Sequence, residues 1–334
     1  MERNLSLLVS TSPHLHAGDQ VATAMKDVII ALMPVTLVAC YFFKFNVPFL
    51  IMVCILTAMF TEVLFRRLMQ KEPQLSDCSA ILTGLLVALS FSAATPWWLA
   101  AAATFIAVGF AKEFLGGLGW NRFNPALFGR VSVIVFAPWL TYLNNEFFYW
   151  RVSFPGIDTI TQATPLTMLQ MGLPLPNMGT FFIATQGGGI AESSAFALLL
   201  GGAYLLYRKH ITWHIPVSMM ATVFIGTALL GQHPVYHLLS GGLLLGAFYM
   251  ATDWVTSPIT KKGQIIFGVC IGIIVVIFRV LLAPTEGVAF AILIMNAFVP
   301  LIDRLTKRLK FGEQKEQVIS QHTVPAGTKM TVKN

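Results

Sequence analysis

Thr83-Gly84-Leu85-Leu86-Val87-Ala88, in the first half of the chain, returns 158 positions later as Gly241-Gly242-Leu243-Leu244-Leu245-Gly246. A second match, Asn124-Pro125-Ala126 with Ala283-Pro284-Thr285, stands at an offset of 159. Two short matches at nearly one offset read as a duplication, and the stretches around them say what was duplicated. Ten apolar runs can be read, at 27–43, 48–65, 79–94, 97–111 and 125–143, then 193–207, 215–230, 236–251, 264–282 and 287–301. Their lengths and composition suit membrane helices; the runs 79–94 and 236–251 are short and Gly-rich. Because each copy holds five runs, an odd number, the second copy enters the membrane from the opposite side. The expected fold is therefore an all-α integral membrane protein of about ten transmembrane helices in two inverted five-helix repeats. Such repeats place a polar site at their interface near the midplane, where Gly- or Pro-interrupted helices expose backbone groups.

Composition agrees. Only 11% of the 334 residues are charged and 56% are apolar, whereas soluble domains carry about 25% charged residues. Such a chain can neither coat a soluble globule nor remain disordered. The net charge of +7 invites a nucleic-acid partner, but the placement of Lys and Arg has a better explanation. With both termini cytoplasmic, 18 of the 22 lie in inner segments or the tail, Lys112 among them, while Lys44 and Arg151 lie outside. Arg130 and Arg279 fall within spans. This is the positive-inside pattern, so the lipid bilayer is the expected partner and nucleic acid is not. Residues 1–26 are mostly polar, with Pro13, His14, His16 and Asp19, and read as a cytoplasmic segment with no cleaved signal. The first repeat is then 27–143, an extracytoplasmic connector 144–192, the second repeat 193–302 and a polar, basic cytoplasmic tail 303–334. Cys40, Cys54, Cys78 and Cys270 are scattered without a CxxC pair, so no local metal or iron–sulfur motif is expected.

The connector carries Asp158-Thr159-Ile160-Thr161-Gln162-Ala163-Thr164-Pro165-Leu166. This resembles the flavinylation motif D-x-x-[ST]-G-A-T, in which the last Thr hydroxyl is esterified to the phosphate of FMN; Gln162 stands where Gly is usual. A Thr hydroxyl is a poor nucleophile, so a separate flavin transferase must form the ester on a short exposed segment. Pro165 biases Thr164 toward extended backbone, Ala163 leaves space, and Thr161 and Gln162 offer hydrogen bonds. Asp158 would order the turn or meet the transferase's metal. Arg151, the basic residue of the connector, would neutralise the flavin phosphate.

With these residues the chain resembles, over nearly its whole length, the D subunits of the Rnf complexes, which are ion-translocating ferredoxin:NAD⁺ oxidoreductases. It is similar, more distantly, to the B subunits of Na⁺-pumping NADH:quinone reductases. Further support comes from Ser12-Pro13-His14, Gly116-Gly117-Leu118-Gly119, Asn121-Arg122-Phe123-Asn124-Pro125-Ala126, Trp213-His214-Ile215-Pro216, His237-Leu238-Leu239-Ser240-Gly241 and Gly287-Val288-Ala289-Phe290-Ala291. Gln162 looks like the D-subunit variant of the motif. The resemblance implies a urea-transporter-like fold, FMN on Thr164 at the outer face, and a second, non-covalent flavin, riboflavin or FMN, near Asn121 and Asn124. Amide side chains suit the pyrimidine edge of an isoalloxazine, offering both donor and acceptor. A purely structural role is also open: Asn121 would cap the helix that starts at Pro125.

Charges at membrane depth are costly and often functional. Asp253 is the first candidate for an ion path; Arg130, Arg279, Glu62, Glu113 and Glu286 are others near span ends. His210/His214 and His233/His237 have i,i+4 spacing but straddle helix boundaries, which suits interfacial anchoring better than metal ligation. No general acid–base pair or nucleophilic triad is visible. The expected function is an electron-relay subunit in a bacterial inner membrane, carrying flavin, with the other membrane and peripheral subunits of the Rnf complex as partners. The alternative is a solute channel or transporter of the same inverted architecture without redox activity.

Overall fold

The computed structural model describes residues 21–72, 75–143, 165–170, 177–183, 189–281 and 286–307. Its regular elements are all helical among these residues. The first half comprises α1 (Val21–Phe43), α2 (Asn46–Leu68), α3 (Ser79–Ser90), α4 (Trp97–Ile106) and α5 (Pro125–Leu143). α4 runs on without a break into a π-helical turn, Ala107–Glu113. Two short helices, α6 (Pro165–Gln170) and α7 (Met178–Ile183), stand in the connector. The second half has α8 (Ala195–Tyr207), α9 (His214–Leu229), α10 (Pro234–Leu239), α11 (Leu243–Leu245), α12 (Lys261–Leu281) and α13 (Gly287–Thr306). α11 also passes into a π turn, Gly246–Met250.

Four of these, α1, α2, α12 and α13, are long and apolar enough to cross a bilayer. Their outward faces leave Leu37, Tyr41, Leu56, Phe60, Ile273 and Phe298 exposed. A monomer in water rarely exposes apolar surface on this scale; hydrocarbon solvates it at no cost. The chain is a membrane protein.

The apolar runs read from sequence and the helices agree closely, with instructive departures. α1 already covers Val21–Lys26, ahead of the expected span, a run in which Ala22, Ala24, Met25 and Lys26 are good helix formers. The run at 236–251 is a broken helix. Gly241 and Gly242 adopt left-handed conformations, φ 67° and 65°, between α10 and α11. Gly84, by contrast, lies inside α3, where an added Cβ would sit 2.9 Å from the Cys54 carbonyl and the Ile55 Cα of α2. The Thr83-Gly84 and Gly241-Gly242 stretches are therefore not structural equivalents. A left-handed residue precedes both short helices, Gly242 before α11 and Cys78 before α3 (φ 59°). Of the second match, Ala283-Pro284-Thr285 lies outside the described residues.

Packing brings the halves together. α1 and α8 run antiparallel: Asp27 meets Tyr204 and Arg208, while one turn on Gly201 abuts the Ala31 carbonyl. α5 and α13 are also antiparallel, with Arg130 against Glu286 and Asn124 against Asn296. Within each half the order recurs. α2 runs alongside α4, Thr61 and Phe65 facing Gly109; α9 runs alongside α12, Ser218 and Thr222 facing Gly268 and Gly272. Small residues at these contacts allow the backbone proximity that drives helix association in lipid. α3, with eleven of its twelve residues buried, lies in the middle, and one apolar core runs through Leu32, Val35, Val87, Leu205, Leu243, Phe267 and Ile292 of both halves.

Candidate functional site

Two polar regions lie between the halves. At one end of the bundle, a cavity of about 300 Å³ opens where the N-terminal ends of α1, α3 and α5 meet the C-terminal ends of α8 and the second π turn. Asn124 anchors it. Its Oδ1 accepts from the Leu127 N–H (3.3 Å), capping α5, and its Nδ2 donates across the interface to the Met250 carbonyl (3.2 Å). With its amide oriented to satisfy the network, Asn296 accepts from the Asn124 N–H at 3.0 Å. Asn124, and not Asn121, is thus the cap; Pro125 occupies the first helical position, as capping geometry favours.

Asn121 is 5% exposed and faces the same cavity. Its Nδ2 donates to the Phe123 carbonyl (3.4 Å) and reaches Asp253, while its buried Oδ1 has no hydrogen-bond partner among the described residues. Asp253 accepts from Thr256 Oγ1 (3.0 Å) and from the Val255 and Trp254 N–H groups. Burial nevertheless pushes its carboxyl above the ordinary carboxylate range, against the pull of those donors.

Lys112 lines the cavity from the first π turn and is 1% exposed. Read from sequence as an inner-segment charge, it is instead inside the bundle. Its Nζ donates to Glu62 (2.7 Å) and to Ser79 Oγ (2.6 Å), and Ser79 Oγ in turn donates to Asp77 (2.8 Å). Arg66 Nε donates to Glu113 at 3.1 Å, completing a buried network of two cations and three carboxylates. Buried charges persist when paired and hydrogen-bonded, and this arrangement is what the Glu62 and Glu113 positions require.

Asp27 closes the rim. It accepts from Tyr204 (3.0 Å) and Arg208 (2.9 Å) and lies 2.6 Å from His210 Nε2, tying α1 to the end of α8. Trp254 Nε1 donates to the His210 carbonyl (2.6 Å). Sequence reasoning missed Asp27. The signal was the lone acid beginning one first-of-half span, with Tyr204, Arg208 and His210 ending its counterpart. His214 stacks on Trp213 instead, at 4.2 Å between ring centres. Among the described residues no three metal-type side chains converge.

Six residues beyond Asn124 on α5, Arg130 makes a bidentate pair with Glu286 (2.8 and 3.0 Å) and stands over the Phe91 ring. Glu192 lies close by, taking the Gly241 N–H. Burial raises its carboxyl above the usual range despite Arg130 and Arg279. Arg279, 2% exposed, donates to the carbonyls of His237 and Ser240 (the latter at 2.8 Å), which hold the break between α10 and α11. Leu166 packs against this break. The other residues singled out in the connector, Arg151, Asp158, Thr161, Gln162 and Thr164, lie outside the described residues. So the structure brings Asn121, Asn124 and Asp253 into one site, and separates them from Arg130, Glu286 and Arg279.

A family model described as NQR2, RnfD, RnfE matches residues 8–312. The chain belongs to that family. Among its relatives, the D subunit of the Na⁺-translocating ferredoxin:NAD⁺ oxidoreductase complex of Acetobacterium woodii is 39% identical, over 93% of this chain and 97% of the relative. The D subunit of the proton-translocating ferredoxin:NAD⁺ oxidoreductase complex of Clostridium ljungdahlii is 38% identical, over 92% and 96%. The D subunit of the ion-translocating oxidoreductase complex of Aliivibrio salmonicida is 34% identical, over 93% and 100%. Family members named for Na⁺ and for H⁺ are thus almost equally similar to this one.

Proposed function

We propose that the chain is the membrane-embedded, flavin-carrying D subunit of an ion-translocating ferredoxin:NAD⁺ oxidoreductase complex. FMN is held as a phosphate ester on Thr164, and a second, non-covalent flavin, riboflavin or FMN, occupies the cavity of Asn121, Asn124 and Asp253. The bound flavins supply one- and two-electron chemistry, while the protein sets their distance and polarity. The observation that carries the second site is the orphaned Asn121 Oδ1: buried polar atoms are hydrogen-bonded in native proteins, and the imide N–H of an isoalloxazine is the donor this acceptor lacks. Phe248 and Tyr249 line the apolar wall that a planar ring needs. Asp253, held beside Asn121, is placed to take a proton or a cation as the charge in the cavity changes.

The antiparallel pairing of α1 with α8 and of α5 with α13 supports two inverted five-helix halves, since equivalent helices of such repeats run oppositely. Counting α10, the glycine break and α11 as one span gives ten. Lys26, Arg67, Lys71, Arg208, Lys209, Lys261 and Lys307 all stand at the cavity end of the bundle, so the positive-inside rule puts that end, and both termini, in the cytoplasm. The connector with Thr164 then faces the periplasm of a bacterial inner membrane, where a flavin transferase would modify it. The remaining subunits of the complex are the partners.

The test starts with full-length protein purified from cells that contain the transferase, denatured and run on a gel under ultraviolet light. A fluorescent band is expected from the wild type and none from Thr164→Ala. A dark wild-type band would favour the rival, a channel of the same fold without flavin. Asn121→Leu should keep the fluorescent band while losing the flavin that acid extraction releases; full retention of that flavin would remove the second site.

A further inference from the structure

A cavity of about 580 Å³ at the connector end of the bundle is lined by Leu166, Leu169, Gln232, His233, His237 and Arg279. His237 is 3% exposed, and among the described residues neither ring nitrogen has a hydrogen-bond partner. Buried polar atoms are hydrogen-bonded in native proteins, so the side chain is built for a group that supplies one acceptor and one donor. Arg279 lies beside it, its guanidinium held in place by the His237 and Ser240 carbonyls. The result is a cationic pocket with an imidazole aimed into it. α6 forms part of the wall. Leu166 is 1% exposed, and α6 begins at Pro165, the next residue in the chain after Thr164. Consecutive Cα atoms are about 3.8 Å apart, so whatever is esterified to Thr164 is leashed to this pocket.

We propose that His237, assisted by His233 and Arg279, docks the ribityl phosphodiester of the flavin carried by Thr164. The inference rests on the attachment described above. A phosphodiester bears one negative charge and only acceptor oxygens, and the ribityl chain next to it carries hydroxyl donors. A neutral imidazole has one N–H and one bare nitrogen. One nitrogen of His237 donates to a phosphate oxygen and the other accepts from a ribityl hydroxyl. The field of Arg279 balances the phosphate charge. Docked in this way, the tethered flavin holds one position relative to the bundle instead of sweeping out the reach of its linker.

Full-length protein made with the transferase and purified in detergent is compared by flavin fluorescence anisotropy, normalised to the covalent flavin seen on the denaturing gel. The signal of Thr164→Ala protein is subtracted to remove flavin bound elsewhere. His237→Leu should lower the anisotropy, with a roughly fivefold fall in the docked-to-free ratio for each hydrogen bond lost. His237→Asn, which keeps a donor and an acceptor, should restore most of it. Should His237→Leu fail to fold, His233→Leu supplies the same comparison from the other side of the pocket. Anisotropy equal to wild type in the His237 and His233 variants, with the gel band intact, overturns the dock alone and leaves the pocket to a free anion or lipid headgroup. A dark wild-type gel overturns the attachment and the dock together.

Discussion

Lys112 shows what a widened turn does to a single side chain. The π turn Ala107–Glu113 directs Ala111, Lys112 and Glu113 inward together while Phe110 and Phe114 stay exposed. The ammonium thereby reaches Glu62, a carboxylate with no solvent exposure, at 2.7 Å. Breaking a buried pair from one side strands a charge, at a cost of about 3–5 kcal/mol. Lys112→Met should therefore lower the thermal midpoint sharply in detergent, or abolish assembly into the complex. Adding Glu62→Gln should recover more than half of the loss, because it returns the charge balance of the network to that of the wild type. A double variant no better than Lys112→Met would show that packing, and not charge, holds this region. At this scale the sequence was legible by residue type but not by role. It marked Asn121 and Asn124, yet which of them caps α5 depends on how the chain enters from the Gly116–Gly119 bend, where φ is positive at three glycines. It also missed Asp27, whose partners Tyr204 and Arg208 lie 177 and 181 positions away.

Among elements, α3 depends most on its neighbours. Almost wholly buried, it packs so tightly on α2 that Gly84 leaves no space for a methyl group below the Cys54 carbonyl. Overpacking of this kind costs about 1–3 kcal/mol. Since the obstacle is backbone, no rotamer change can relieve it. Gly84→Ala should lower the thermal midpoint of the purified protein, whereas Gly119→Ala, with open space around it, should show only the smaller strain of its positive φ, 94°. Equal losses from the two would mean that α3 and α2 adjust freely. The long helices were legible because twenty apolar residues have few alternatives. The break at Gly241–Gly242 and both π turns were not. Apolar periodicity cannot tell a continuous span from a half-helix whose freed carbonyls are satisfied by Arg279, a residue about 40 positions further on. The Gly-Leu-Leu match was no guide to backbone for the same reason: Gly84 is helical and Gly242 left-handed, whereas the left-handed residue before α3 is Cys78.

For the whole molecule, inversion makes a demand that no single contact does. In the proposed repeat the α1–α2 and α8–α9 connections correspond, so a plain duplication would put both on one side of the membrane and an inverted one on opposite sides. Lys44 marks the first connection and Lys209 the second; both are exposed, with positive φ, as befits tight turns between spans. In protein with Cys40, Cys54, Cys78 and Cys270 replaced, a cysteine at Lys209 should react with an impermeant maleimide only in inside-out vesicles. A cysteine at Lys44 should react only in right-side-out vesicles. Lys71, at the end of α2, belongs with Lys209 and serves as a second inner marker. Labelling of positions 44 and 209 from the same side would dismantle the inverted architecture. Opposite labelling with the sides exchanged would keep the architecture but reverse the molecule. That second result would move the Asn121 cavity to the outer face, Thr164 to the inner face, and its modification to a cytoplasmic transferase. Opposite labelling in the expected sense leaves the two proposed flavin sites at opposite ends of the bundle, so an electron passing between them crosses most of the membrane.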